Sequence, residues 1–269
     1  MPAGEAIGAR VVRGPSFPLL RAAGLEAGYA RGQAAISGLE FAVAGGESMA
    51  VLGPNGGGKT TLFRAVLGEL AYTTGELEVT GEVAYVPQGE RSRLDFPVSA
   101  FDVALMGTYG RLPWYRPIGR AERRSAAEAL ERVGLTDGVA TPWGELSGGQ
   151  RQRVLIARAI AQQAGVVLLD EPLAGVDQPS EQRVLQILGE LRGEGRAVVV
   201  STHDVELAAS FDRVLCINAR QIAFGAPAEV LDAEVLREVY GAEIVLLPGG
   251  EQAIVQGHGH GSDDHGEGR

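Results

Sequence analysis

Gly53-Pro54-Asn55-Gly56-Gly57-Gly58-Lys59-Thr60 combines the residue types needed to hold phosphate, and it fits the spacing G-x4-G-K-S/T. Glycines let successive backbone N–H groups converge on phosphate oxygens, and a following helix adds its positive end. Lys59 would reach the β- and γ-phosphates, while the Thr60 hydroxyl would ligate Mg²⁺. Of the 24 basic residues 23 are arginine, so Lys59 is the one lysine of the chain. Its compact ammonium acts as a point charge on phosphate, a task the planar guanidinium fork does not share. A glycine-rich surface turn is the plainer reading of such a loop, and the strand before, the helix after and the isolated lysine all weigh against it.

Two further clusters accompany this loop. Val166-Val167-Leu168-Leu169-Asp170-Glu171 is an apolar run ending in two carboxylates. A strand of that type places Asp170 at its C-terminal end beside the phosphate loop, where it would hold the magnesium shell, and leaves Glu171 to act as general base for water. Leu146-Ser147-Gly148-Gly149-Gln150 is followed by Arg151 and Arg153. Ser147 and Gln150 have capping-box spacing, which by itself means only a well-started helix. The two glycines at that start would let an anion approach the backbone N–H groups and the helix dipole.

The elements that must carry these residues are legible in the pattern. Short apolar runs from Leu25 to Val51, punctuated by Gly28, Gly38, Gly45 and Gly46, predict antiparallel strands and turns. Ser48–Leu52 reads as a buried strand entering the glycine loop, with a helix from Thr60 to Leu67. Strands at 82–86, 166–170, 197–201 and 213–218 alternate with helical segments at 150–163 and 181–192, which predicts an α/β core with a mostly parallel sheet. Between about 91 and 147 the pattern turns helical, clearest over Ala121–Val133, and reads as an inserted subdomain. The expected divisions are a leader over 1–22, a main domain over 23–240, an extension over 241–256 and a Gly-, His- and Asp-rich disordered tail over 257–269.

Composition removes several classes of function. The chain has 269 residues, a formal charge of −10 and 45% hydrophobic residues, enough for a core. That acidic balance argues against a general nucleic-acid binder, which needs a basic face. No apolar run approaches the ~20 residues of a membrane helix. Pro15 and Pro18 interrupt the N-terminal hydrophobicity, so no signal peptide is expected. Cys216 is the single cysteine, which excludes an internal disulfide, fits a reducing cytosol and reads as a buried strand residue.

With Leu146–Gln150 on the page, the chain from about Leu25 to Tyr240 resembles the ATP-binding cassette family, for which that pentapeptide is the signature motif. The resemblance implies a P-loop NTPase core with an antiparallel β subdomain and an inserted helical subdomain. It implies ATP and Mg²⁺ as ligands, with nucleotide contacts from Tyr29, Gly53, Pro54, Asn55, Gly56, Gly57, Gly58, Lys59, Thr60 and Thr61, and from Ser147, Gly148, Gly149 and Gln150 of a second copy. Tyr29, which lies 24 positions before the loop, would stack on adenine, although as a lone tyrosine it would be read as ordinary packing. Gln88 would contact Mg²⁺ and the attacking water, Ala174–Asp177 would cross to the second subunit, and His203 would bond the γ-phosphate. Glu171, His203 and Gln88 then form the catalytic set, with Thr60, Gln88 and Asp170 around the metal of Mg-ATP.

Asp95-Phe96-Pro97-Val98-Ser99, Val103–Gly107, Tyr109-Gly110-Arg111, Leu173–Asp177 and Phe224–Pro227 resemble importers of manganese, zinc and iron. The expected partners are a second copy in a head-to-tail ATP sandwich, an integral membrane permease and, indirectly, an extracytoplasmic metal-binding protein, with the chain peripheral on the cytoplasmic face of the membrane. Trp114 and Tyr115, set among Pro113 and Pro117, are either an exposed patch for a permease loop or a packed corner. His258, His260 and His265, beside Asp263 and Asp264, are candidate metal ligands or simply a solvated acidic terminus. The rival readings are the same ATPase serving an iron chelate or haem, a permease-free cassette ATPase, a metal buffer built on the tail, and a small-molecule kinase, which would have no use for Leu146–Gln150.

Overall fold

A computed structural model describes residues 17–88, 97–137, 139–241, 244–246 and 252–254. Nine strands form one sheet in the order β4-β1-β2-β9-β8-β3-β7-β6-β5. Its outer part is antiparallel: β1 (Pro18–Gly28) pairs with β2 (Ile36–Ala44) on one side and β4 (Tyr72–Val79) on the other. The strand therefore begins inside the segment expected to be leader. Leu20 and Ala22 are buried in step with Leu25 and Ala27, and this two-residue alternation acquires a purpose only when β2 and β4 flank the strand. Pro18 stands at the strand's first position, where a missing N–H is tolerated.

The inner part holds β3 (Ser48–Leu52), β5 (Val83–Val86), β6 (Val166–Asp170) and β7 (Ala197–Thr202), all parallel where they pair. β3 also pairs in parallel with β8 (Arg213–Asn218), which turns back antiparallel into β9 (Arg220–Gly225). Every residue of β3, β6 and β7 is buried, as expected of parallel strands covered on both faces. The pleat sorts them: Ala50 and Leu52 join one core cluster, Met49 and Val51 the other. The two halves of the sheet meet at a narrow seam, where Ser37 pairs with Arg220 and the Ser37 N–H donates to the Ala219 carbonyl at 2.9 Å.

Helix α1 (Lys59–Val66) follows the glycine loop and buries Leu62 and Phe63, the latter edge-on to Tyr85 with ring centroids 6.2 Å apart. The inserted region contains α2 (Ala100–Met106) and α3 (Arg120–Arg132), packed on α4 (Gly148–Gln162). Ser99 caps α2 with a reciprocal box to Asp102. Trp114 and Tyr115, between α2 and α3, are 96% and 72% exposed and stack edge-on, so the packed-corner reading does not hold. On the core side, α5 (Gln178–Gly193) and α6 (Val205–Ala209) follow β6 and β7. The chain continues through α7 (Pro227–Val230) and α8 (Ala233–Tyr240) to a short antiparallel pair, β10 (Ile244–Leu246) and β11 (Gln252–Ile254). Among the described residues no helix is long and apolar enough to cross a membrane.

Candidate functional site at the strand ends

Two glycines of the loop between β3 and α1 leave no room for a side chain. A Cβ at Gly53 would sit 2.3 Å from the Ile217 carbonyl oxygen, and one at Gly58 would sit 2.3 Å from Ile36 Cγ2. Gly58 also adopts φ 101°, a conformation open to glycine and costly for residues with a side chain. The loop turns around Lys59, whose ammonium donates to the Gly53 carbonyl at 2.8 Å and the Pro54 carbonyl at 3.1 Å. The same ammonium pairs with Glu171 Oε1 at 3.3 Å.

Asp170 closes β6 with its carboxylate almost wholly buried, at 2% exposure. A buried carboxylate must be fully hydrogen-bonded. Oδ2 accepts from Thr60 Oγ1 at 2.7 Å and from the Tyr85 hydroxyl at 3.3 Å, and Oδ1 accepts from Ser201 Oγ. Burial first, and then the Asp170 charge, push the Tyr85 phenol well above its ordinary range, so it serves as a neutral donor. Tyr85 and Ser201 are partners of Asp170 that sequence reasoning missed. The signal for Ser201 was its place in the register: β6 and β7 set it directly opposite Asp170.

Glu171 stands one residue beyond the strand at φ 44°, a left-handed conformation rare outside glycine, and the Ser201 hydroxyl receives its N–H at 2.9 Å. That turn aims the carboxylate at three partners. Besides Lys59, Gln88 Nε2 donates to Oε2 at 2.7 Å and His203 Nδ1 lies 3.7 Å from the same oxygen. Residues from β3–α1, the end of β5, the end of β6 and the end of β7 thus converge, and a cleft of about 350 Å³ opens beside Glu171 and His203, bounded by Leu173, Ala174 and Gly175.

Tyr29 lies beside α1. Its hydroxyl shares a hydrogen bond with Thr61 Oγ1 at 3.3 Å, the Arg64 guanidinium lies 5.7 Å from the ring centroid, and the residue is 54% exposed. A ring so placed can offer a surface to a flat ligand. For a divalent ion, Thr60 and Asp170 supply hard oxygen donors, with the Gln88 carboxamide close to Glu171, which suits magnesium better than softer metals.

The signature segment is set apart from this cluster. Ser147 caps α4, accepting the Gln150 N–H at 3.2 Å, while the Gln150 side chain accepts the Ser147 N–H at 2.8 Å. The two glycines, expected to serve alike, differ. Gly148 is exposed with open space at its Cβ position, whereas Gly149 is buried and a Cβ there would meet Ser180 Oγ at 2.9 Å and Asp177 Oδ2 at 3.1 Å. Asp177 in turn caps α5, accepting the Ser180 N–H at 3.0 Å. Gly149 therefore joins α4 to the loop Ala174–Asp177, and Gly148 alone presents bare backbone. His258, His260 and His265 lie outside the described residues.

A glycine loop emptying onto a helix, with a carboxylate at the end of the next strand but one, is how P-loop nucleoside-triphosphate-binding proteins grip phosphate and metal, and this fold is of that class. A model of the ABC transporter family matches residues 36–174, and the chain belongs to that family. It is 42% identical over 217 residues to the zinc transport system ATP-binding protein TroB of Treponema pallidum, covering 77% of this chain and 82% of that protein. It is 37% identical over 247 residues to the manganese transport system ATP-binding protein MntB of Halalkalibacterium halodurans, covering 88% and 98%. A solved inward-facing structure, described as a metal-chelate type ABC transporter, superimposes with a TM-score of 0.77 at 31% identity, covering 84% of this chain and 90% of that one.

Proposed function

We propose that the chain is the ATP-hydrolysing subunit that powers an importer of a divalent metal, manganese or zinc. The convergence of Lys59, Gln88 and His203 on the Glu171 carboxylate is the observation that carries the hydrolytic part. The zinc and manganese relatives support the cargo.

In this reading the β- and γ-phosphates of ATP lie on the Gly53–Thr60 loop and take the Lys59 ammonium, with Tyr29 against the adenine. Thr60, Asp170 and Gln88 would hold magnesium, which when bound offsets charge on the phosphate oxygens. Asp170 is oriented by Tyr85, Ser201 and Thr60. Once Lys59 turns to phosphate, Glu171 Oε1 is free to take a proton from the water that attacks phosphorus, while Gln88 and His203 fix the carboxylate and the transferred group. A second copy supplies Ser147, Gly148, Gly149 and Gln150 to the same nucleotide, and the exposed positions of Ser147 and Gly148 support that. The permease meets the exposed Trp114 and Tyr115. These partners place the chain at the cytoplasmic face of the membrane, with an extracytoplasmic metal-binding protein delivering cargo to the permease. The tail histidines His258, His260 and His265 are proposed as accessory metal ligands.

A second cargo, an iron chelate or haem, is favoured by the metal-chelate type neighbour. The deciding experiment measures manganese, zinc and iron in cells carrying wild-type protein or Glu171→Gln under metal limitation. A selective fall in manganese or zinc is expected. A fall in iron alone transfers the reading to the second cargo, and unchanged contents of all three overturn metal import.

A further inference from the structure

Tyr240 ends α8, 37 residues beyond His203, and its hydroxyl donates to the His203 carbonyl oxygen at 3.0 Å. The loop also meets Glu171, through His203 Nδ1 at 3.7 Å, and makes short-range contacts. The Asp204 N–H donates to Thr202 Oγ1 at 3.0 Å, and Asp204 Oδ1 caps α6 by accepting the N–H groups of Glu206 and Leu207. The Tyr240 phenol thus reaches the turn from a distant element.

Its mount is rigid. Leu236 and Val239 are fully buried, Asn218 Nδ2 donates to the Val239 carbonyl at 3.1 Å, and Arg220 pairs with Glu238 at 2.6 Å. Burial, aided by the nearby Cys216, Asp204 and Glu171, raises the phenol pKa well above its ordinary range, so the donor stays protonated. The His203 imidazole, by contrast, is 57% exposed, with Nδ1 3.7 Å from Glu171 Oε2.

We propose that Tyr240 is a positioning residue for hydrolysis, holding the His203 peptide so that the imidazole stands against Glu171 and the γ-phosphate, and thereby tying the C-terminal helix to the reaction centre. This rests on the reading of the site as an ATPase. Small displacements of a reacting group cost rate far more than they cost binding.

The test is ATP hydrolysis by the full chain with Mg-ATP, under single-turnover conditions for the slow variants. Tyr240→Phe is expected to lower kcat about three- to tenfold, the rate equivalent of one neutral hydrogen bond, with KM for ATP within about twofold. Added to His203→Ala, it is expected to cause no further loss, because the two act as a unit. Leu130→Ala, a cavity in the distant-in-sequence helix α3 that leaves α8 and the phenol alone, should lower the melting temperature and leave kcat within about twofold. Wild-type kcat in Tyr240→Phe, a rise in KM at constant kcat, losses that multiply with His203→Ala, or an equal kcat loss in Leu130→Ala would each overturn the proposal. A wild-type chain that hydrolyses no ATP overturns the ATPase reading itself, and this one with it.

Discussion

The Lys59 ammonium lies 3.3 Å from Glu171 Oε1, with both side chains more than nine-tenths buried. A buried pair of this kind is costly to break one partner at a time. Here the lysine has other acceptors in the Gly53 and Pro54 carbonyls, so it is held even without the carboxylate. On the proposed reading the pair sets the two functions of the site in competition, since phosphate would need the same ammonium.

Glu171→Gln keeps the shape, removes the competing charge and, on the proposed reading, removes the base. ATP affinity should be retained or rise, while turnover falls about 10²- to 10⁴-fold. Sedimentation at saturating Mg-ATP should show a persistent dimer. Hydrolysis within tenfold of wild type would remove Glu171 from the role of base.

Gly148 and Gly149 should part company under mutation. Gly148→Ala adds a methyl to open space at the start of a helix and should leave stability within about 0.5 kcal/mol. Gly149→Ala drives a methyl against Ser180 and Asp177 and should cost about 1–3 kcal/mol. Denaturant melts of the two variants decide it, and equal stabilities would mean that the α4–α5 junction is not closely packed.

Asp212 gives the fold an acid-sensitive clasp. Burial opposes its charge, but the Ser48 hydroxyl and N–H, at 2.7 and 2.8 Å, together with Arg192 hold its pKa below the usual carboxylate range. A lowered folded-state pKa contributes stability that is present above the unfolded value and is lost as pH falls through the folded one. The difference in melting temperature between wild type and Asp212→Asn should therefore be widest near neutrality and shrink as pH falls below about 5. A difference independent of pH would assign the stability to packing.

Cys216 is fully buried in β8, and burial pushes its thiol up to about 12. An aromatic disulfide reagent at pH 8 should find no reactive thiol in the native chain and one after unfolding. Rapid native labelling would show that β8 opens.

Contiguous strings were legible before any fold. The Gly53–Thr60 loop, the Asp170-Glu171 pair and the Ser147–Gln150 cap each carry their chemistry within a few residues, where local backbone geometry decides it. The buried strands could be read for the same reason, because a run such as Val166–Leu169 admits few environments.

The rest required tertiary structure, because it depends on which distant residues share a register. Pro18–Ala22 reads as a leader until β2 and β4 give its alternation something to bury against. Trp114 and Tyr115 could have been packed or bare. That Ser201 completes Asp170 follows from the pairing of β6 with β7, and that Gly149 is a packing glycine follows from where α5 begins. A phenol at the end of α8 reaches the His203 peptide only because α8 packs back on β8 and β9. Sequence spacing encodes which groups are available, while the pairing of strands and helices decides which of them come within hydrogen-bonding distance.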